Sequence, residues 1–372
     1  MTRLKSPLLV FGILLLSLTL IKITNVFANT AGTNRTEELK RLLLEGRSTQ
    51  YLAPVSRKTD FEHESNSLIA NVLYRRLSGL FNSMTFSGAN GANADRENNW
   101  AAPWYIEAQR NGEELVIGGL IKNDPEAIQS GFKMFDWGFA QQSADGSFKG
   151  TADPFHSTSF FVQAVAHTLL VLQQSPQSEK YADQIAHYTP LVHRAARWMI
   201  LPEVWKKGIE RNEPYTHRRY LVASALGLTG KLTGDQDLIN YSRESIKDGL
   251  SLQYADGSNP EKGGYDSSYQ MVGLVYAQRW VTYFPNDFLT PKVTAMIDKG
   301  LAWEQTRMLP TGEISREGNT RTGGQEKGRT GKIKKVDYRS AVRGFAYWAS
   351  VTGDPRWAAI ASQITQYYYK VR

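Results

Sequence analysis

The chain has 372 residues and not one cysteine. That excludes a disulfide framework, a thiolate metal site, a cysteine nucleophile and a lipoprotein-type anchor. Acidic clusters with the ligand spacing of a calcium loop are missing too, so neither a metal nor another cofactor is expected. Long apolar runs are scarce. The terminal one, Leu8 to Ile21, follows Arg3 and Lys5 and covers about 14 residues, short of the roughly 20 that span a bilayer. Val26 and Ala28 follow with the spacing that a signal peptidase reads. Residues 1–28 are therefore expected to be a secretory signal, which predicts a secreted or periplasmic protein with no stable membrane insertion after cleavage. An uncleaved anchor is the alternative. Residues 29–56 read as a polar lead-in, and 57–372 as a single domain large enough to fold on core burial alone.

Charge of one sign is also limited. The formal charge is +8, and removing Arg3, Lys5 and Lys22 leaves 41 basic against 36 acidic residues. For an exported protein this modest excess suits an anionic polymer better than a nucleic acid, although an ordinary soluble surface explains it as well.

Strand-like alternation is sparse, and the periodicities that are present are helical. Ser157–Gln173, Tyr220–Leu232, Tyr265–Tyr283 and Tyr338–Thr352 are apolar on most faces, as inner helices are. Between them run the more amphipathic Tyr181–Ile200, Asp235–Gln253, Pro291–Thr306 and Pro355–Tyr369. A turn recurs as "ADGSF" around Gly146, "ADGSN" around Gly257 and "LPTGE" around Gly312. The first two glycines are 111 residues apart and the third lies another 55 on; "WMILPE" at 198–203 falls halfway between the first two. A period of about 55 residues is the length of a helical hairpin. The expected fold is all-α, an α/α toroid: a complete or incomplete ring of about six hairpins, with an open solenoid as the alternative.

In such a ring the loops entering inner helices gather at one mouth, and four of them are unusual. "ENNWAAPWY" places Asn99, Trp100 and Trp104 together, as amides and aromatics that suit sugar rings or, equally, core anchors. "GTADPFHST" and "NEPYTHRRY" put His156 and His217 at helix starts, where the helix dipole favours the neutral, base-competent imidazole. Arg218 and Arg219 follow the second histidine. His167 reads as a core residue, and His63, His187 and His193 carry no signal. "GSNPEKGGYDSSYQ" sets Tyr265 and Tyr269 one helical turn apart, predicting a shared face at an inner-helix start. Finally, Leu309–Lys335 is long, polar and glycine-rich, with seven basic and three acidic residues. It reads as a lid or as a solvated loop, and its arginines, Arg316 and Arg321 among them, suit carboxylate or sulfate groups.

The stretch "DGSNPEKGGYDSSYQ", with aromatics and asparagine early and histidine and arginine at the mouth, resembles the α/α-toroid polysaccharide lyases, which act on hyaluronate, chondroitin, alginate and glucuronan. The Asp-Gly-Ser turn followed by Tyr-x-x-x-Tyr is similar to the hyaluronate-lyase segment, whose second tyrosine transfers the proton. That implies Tyr269 here, with Tyr265 as fallback. The family's histidine six residues after the Asp is replaced by Lys262, so the resemblance implies that His217, or else His156, supplies the imidazole. It further implies β-elimination on a uronate-containing acidic polysaccharide. Arg218 and Asn99 would neutralise the carboxylate, Trp100 and Trp104 form a sugar platform, and Arg219, Arg316 and Arg321 help hold the polymer. Two alternatives stay open: a toroid glycoside hydrolase using carboxylates such as Asp153, Asp256, Glu261, Asp266 or Glu313, and a non-catalytic glycan-binding protein. Terpene cyclases share the turns, but the sequence lacks an Asp-rich cation-initiating motif.

Overall fold

A computed structural model of the chain describes residues 57–84, 104–324, 326–328 and 331–371. The expected signal and lead-in, and Asn99 and Trp100, lie outside the described residues. Fourteen α-helices follow one another among the described residues, with no strand. They are α1 Asp60–Glu64, α2 Ser67–Met84, α3 Tyr105–Gln109, α4 Gly112–Lys122, α5 Pro125–Ala140, α6 Pro154–Gln174 and α7 Ala182–Met199. The rest are α8 Pro202–Asn212, α9 Thr216–Thr233, α10 Gln236–Leu252, α11 Ser267–Tyr283, α12 Thr290–Thr306, α13 Tyr338–Thr352 and α14 Pro355–Lys370.

Helices α2, α4, α6, α9, α11 and α13 each pack on the next, and α13 packs back on α2, closing an inner ring. Helices α5, α7, α10, α12 and α14 lie outside, each against the inner helix that precedes it in the chain. Burial follows the sequence pattern. In α6 every residue from Phe155 to Leu172 is buried, whereas α7 buries a single stripe that includes Tyr188, Val192, Ala195 and Met199. By length and composition α6 could cross a membrane, yet here its apolar stretch is buried inside the protein.

Aspartates start the helices that form the mouth. Asp153, Asp266 and Asp337 accept backbone N–H bonds at the N-termini of α6, α11 and α13, satisfying groups that a helix start leaves without partners. The recurring turn has a physical cause. Gly146, Gly257 and Gly312 have φ of 92°, 95° and 88°, and a Cβ on any of them would collide with a backbone carbonyl of the following outer helix, at Arg194, Lys299 and Gln363. Only glycine meets both demands. "WMILPE" departs from the pattern: its Leu-Pro opens the extra helix α8, which packs on the start of α6 through Gly208 and Phe155.

The far end of the ring is closed by α1, which packs on α6, α11 and α13. Asp60 accepts from the Tyr283 hydroxyl at 2.8 Å and from Tyr347, and its third link is to His167 Nε2 at 2.5 Å. Glu113 meets the other ring nitrogen of His167 and lies 2.8 Å from Arg279, while Glu64 lies 2.6 Å from Arg343. His167 is thus buried as expected, but as the hub of an ion network. With a carboxylate on each nitrogen, both of its N–H groups donate. Burial and Arg279 oppose that charge, and the two carboxylates override them and raise its pKa. Three ligand-type atoms of Asp60, Glu64 and His167 come within 4.8 Å of one another. Asp60 and His167 engage each other and Arg343 holds Glu64 Oε1, which leaves Glu64 Oε2 without a partner among the described residues.

Candidate active site

A cavity of about 650 Å³ opens where the loops enter the inner helices. Ten basic and four acidic side chains line it. His156, His217, Arg218, Tyr269, Arg321 and Trp104 are among the lining residues, so six of the sequence-derived candidates converge there.

Tyr269 stands in the first turn of α11, anchored by the Asp266 cap. Its phenol oxygen accepts from Lys334 Nζ at 3.0 Å, and the Arg321 guanidinium lies 3.6 Å from the ring centroid. The His217 ring stands beside it, with centroids 4.7 Å apart. His217 Nδ1 is 2.9 Å from Glu261 Oε2. A carboxylate only accepts, so Nδ1 carries the proton and Nε2 is left as the acceptor nitrogen. Burial pushes the His217 pKa below its ordinary 6.5 despite Glu261, favouring the neutral ring.

Two carboxylates organise the cations. Glu261 holds His217 and, at 2.5 Å, Arg321. Glu326 binds Arg321, Lys334 and, at 2.7 Å, Lys262; burial works against its charge, yet the cations lower its pKa to about 2. Arg321 keeps its proton although burial opposes it, because Tyr269, Glu326 and Glu261 surround it. Among its described residues, the segment after α12 is therefore tied down around Arg321, Glu326 and Lys334. Arg321 and Thr322 backbone N–H groups also donate to Asp266 at 2.9 and 2.6 Å.

Several expectations need correction. Tyr265 and Tyr269 do not share a helical face, because α11 begins at Ser267 with Asp266 as its cap. Tyr265 lies before the helix, its hydroxyl donating to Glu317 O at 3.3 Å and its ring packed on Trp303, and it does not line the cavity. Arg219 is buried away from the cavity, bonded to Asp248 at 2.9 Å and to the carbonyls of Asn212, Glu213 and Tyr215. It fastens α9 to α10 and to the end of α8. Arg316 packs beneath Gly323 and is not a lining residue. Arg218 does line the cavity, shared between Asp153 at 3.3 Å and Asn212 at 3.2 Å. Trp104 caps α3 at the wall, and His156 sits edge-on to Phe160 at 4.7 Å.

The residues missed by the sequence reading are Lys334, Glu326, Arg339 and, deeper in, Gln163, Arg279 and Arg343. Lys334 was legible only as one charge among seven in its segment. The deeper set lies inside apolar helices, where single polar residues carry no periodic signal.

A closed ring of inner helices with antiparallel partners outside defines an α/α toroid. Two solved structures share it. The chain aligns with glycosyl hydrolase family 88 from Bacteroides vulgatus at 11% identity and a TM-score of 0.52, over 82% of this chain and 84% of that one. It also aligns with the Streptomyces coelicolor A3 chondroitin AC lyase, solved in complex with chondroitin sulphate, at 12% identity and a TM-score of 0.52. That match covers 85% of this chain and 44% of the lyase. No family model and no curated protein matches the sequence.

Proposed function

We propose that the chain is a polysaccharide lyase that cleaves a uronate-containing acidic polysaccharide by β-elimination, working outside the cytoplasm after removal of residues 1–28. The observation that carries this reading is the state of Tyr269. An ammonium group can only donate, so Lys334 occupies a lone pair of the phenol oxygen and leaves the phenol proton for another acceptor. Such a tyrosine is a general acid whose conjugate phenolate is already met by two cations.

In the reaction, cations of the cavity wall, Arg218 among them, neutralise the uronate carboxylate and stabilise the enolate-like intermediate. His217 Nε2 takes the C5 proton, the C5–H electrons form the C4–C5 double bond, and the C4–O4 bond breaks. Tyr269 gives its proton to the departing O4. Glu261 holds the imidazole in the tautomer this requires. The same tyrosine performing both transfers, with His217 as partner, is the variant form of the mechanism.

The hydrolase alternative finds less support. Of its candidate carboxylates, Asp153 and Asp266 cap helices, Glu261 holds His217 and Arg321, and Asp256 bonds Ser258 in the glycine turn. None of these lines the cavity, nor does Glu313. The four acidic side chains that do are engaged within the fold, Glu107 with Arg110, Glu113 with Arg279, Glu114 with Arg76 and Asp337 as the cap of α13. The chondroitin sulphate bound by the lyase neighbour agrees with an acidic substrate. The test is a panel of alginate, glucuronan, hyaluronan, chondroitin and a neutral glucan, followed by ultraviolet absorbance of the new double bond and by reducing ends. Both signals on one acidic polymer are expected. Reducing ends without absorbance mean hydrolysis, and sink the lyase reading.

A further inference from the structure

The cavity is deep as well as wide. On α11 it is lined at Tyr269 and again at Tyr276 and Arg279, and on α6 at His156 and again at Gln163. Ten helical residues separate Tyr269 from Arg279, a descent of about 15 Å. At that depth the wall changes character. Gln163, Arg279 and Arg343 are 1%, 2% and 8% exposed. Gln163 Nε2, Arg279 Nε and Arg343 Nε are buried donors that no described group accepts from. Buried donors are almost always paired in native proteins, so three side chains that keep a spare donor at one cavity wall can turn it toward acceptor oxygens that enter the cavity.

The charges there are already balanced. Arg279 faces Glu113 and Arg343 faces Glu64, so the floor is a surface of neutral sum that offers N–H groups. Hydroxyl and ring oxygens of a sugar answer that description better than a second anion does. Nor is there a way through. Among the described residues the inner helices close on one another, and α1 sits directly behind the floor, its Glu64 bonded to Arg343.

We propose that the cavity is a blind well that admits a polysaccharide end first, its terminal sugar held at the floor by Gln163, Arg279 and Arg343. Cleavage then takes place at the mouth, a fixed distance from that end, and releases short products of uniform length. The proposal rests on the catalytic reading above for what is cleaved, but not for how the chain enters.

The experiment follows product size on the polymer that the wild-type protein degrades, by size-exclusion chromatography early in digestion, with absorbance and reducing ends read on the same samples. End-first entry gives short oligosaccharides while the remaining polymer keeps its length. Early collapse of polymer length overturns the proposal, and with rising absorbance it leaves the lyase reading standing. Reducing ends without absorbance overturn the lyase reading, and the size profile still decides the mode of entry. A binding measurement on a variant covers a protein inactive on every polymer. Gln163→Leu removes a donor that has no partner, so its Tm should not fall. Its affinity for a glucuronate-terminated tetrasaccharide, by calorimetry, should drop about tenfold, and an unchanged affinity overturns the floor site.

Discussion

The mouth and the floor of the cavity are built from the same residue types and behave in opposite ways. At the floor every cation has its carboxylate: His167 with Asp60 and Glu113, Arg279 with Glu113, Arg343 with Glu64. At the mouth Lys327, Lys335 and Arg339 have no acidic partner among the described residues, although all three line the cavity. Buried charges must be matched within the fold, because an unmatched one is strongly destabilising. Charges at an opening are hydrated and can wait for a ligand. The floor therefore closes the ring, and the mouth is left to recognise an anion.

The sharpest way to break this division is to remove one group on each side. Tyr269→Phe should lower kcat by about 10²–10⁴ while thermal unfolding is unmoved, since only the acid at the mouth is lost. Tyr265→Phe should retain near-normal turnover; the reverse result would place the chemistry on the wrong tyrosine. Glu64→Gln, at the floor, leaves Arg343 without its closest counter-charge and should cost about 3–5 kcal/mol of stability, read by denaturant unfolding. A Glu64→Gln protein as stable as the wild type would mean that the network is not what shuts the ring.

pH separates the two regions further. At the mouth His217 must be neutral and its pKa is lowered by burial, so activity should fall only as pH drops below the ordinary 6.5. At the floor two signs operate. Glu113 is lowered from 4.5 to about 2, chiefly by Arg279 and His167 against the opposing effect of burial. Its contribution is present above 4.5 and is lost as pH falls toward 2. His167 is raised, so its contribution is complete below 6.5 and lost as pH climbs through the folded value. His63 and His217 are lowered and oppose this in the whole protein, so the test is a difference. The loss of melting temperature on His167→Gln should shrink as pH climbs above 6.5, and a loss that grows above neutrality would contradict the protonated His167. The smallest effect concerns the free cations. Lys335→Met with Arg339→Met should raise KM several-fold at low salt and much less at high salt, because exposed charges are screened. Equal losses at both salt levels would mean that these side chains do not meet an anion.

Much of the ring was legible in the sequence. Helices α6, α9, α11 and α13 are apolar on most faces, and Gly146, Gly257 and Gly312 mark the turns between hairpins. The inner positions of α2 and α4 were not, since Arg76, Glu113 and Glu114 make those segments look exposed until their partners are known. Tyr269 and His217 were found by their place at helix starts, and Glu261, named only as a possible hydrolytic carboxylate, proved to be the partner of His217. Tyr265 was misplaced although the remedy was in the sequence: an aspartate followed by two serines is a strong helix cap, and it begins α11 after Tyr265. Arg218 and Arg219 were offered together, but neighbours on a helix point about 100° apart, so one lines the cavity and the other faces α10. Beyond the placing of His167 in the core, the floor could not be read, because its partners lie 54 to 287 residues apart.

Those separations also order the birth of the molecule. Asp60 is made early and can meet His167 once α6 exists, yet its remaining partners, Tyr283 and Tyr347, are synthesised much later. Contacts this distant in sequence form late, after nearer helices have paired. The hairpins can assemble as they emerge, but the base of the well is sealed only when almost the whole chain exists. A nascent chain stopped before α13 would carry an open ring with its α1 latch only partly fastened, and that state should be protease-sensitive around residues 60–64, of which Asp60, His63 and Glu64 are buried in the complete protein.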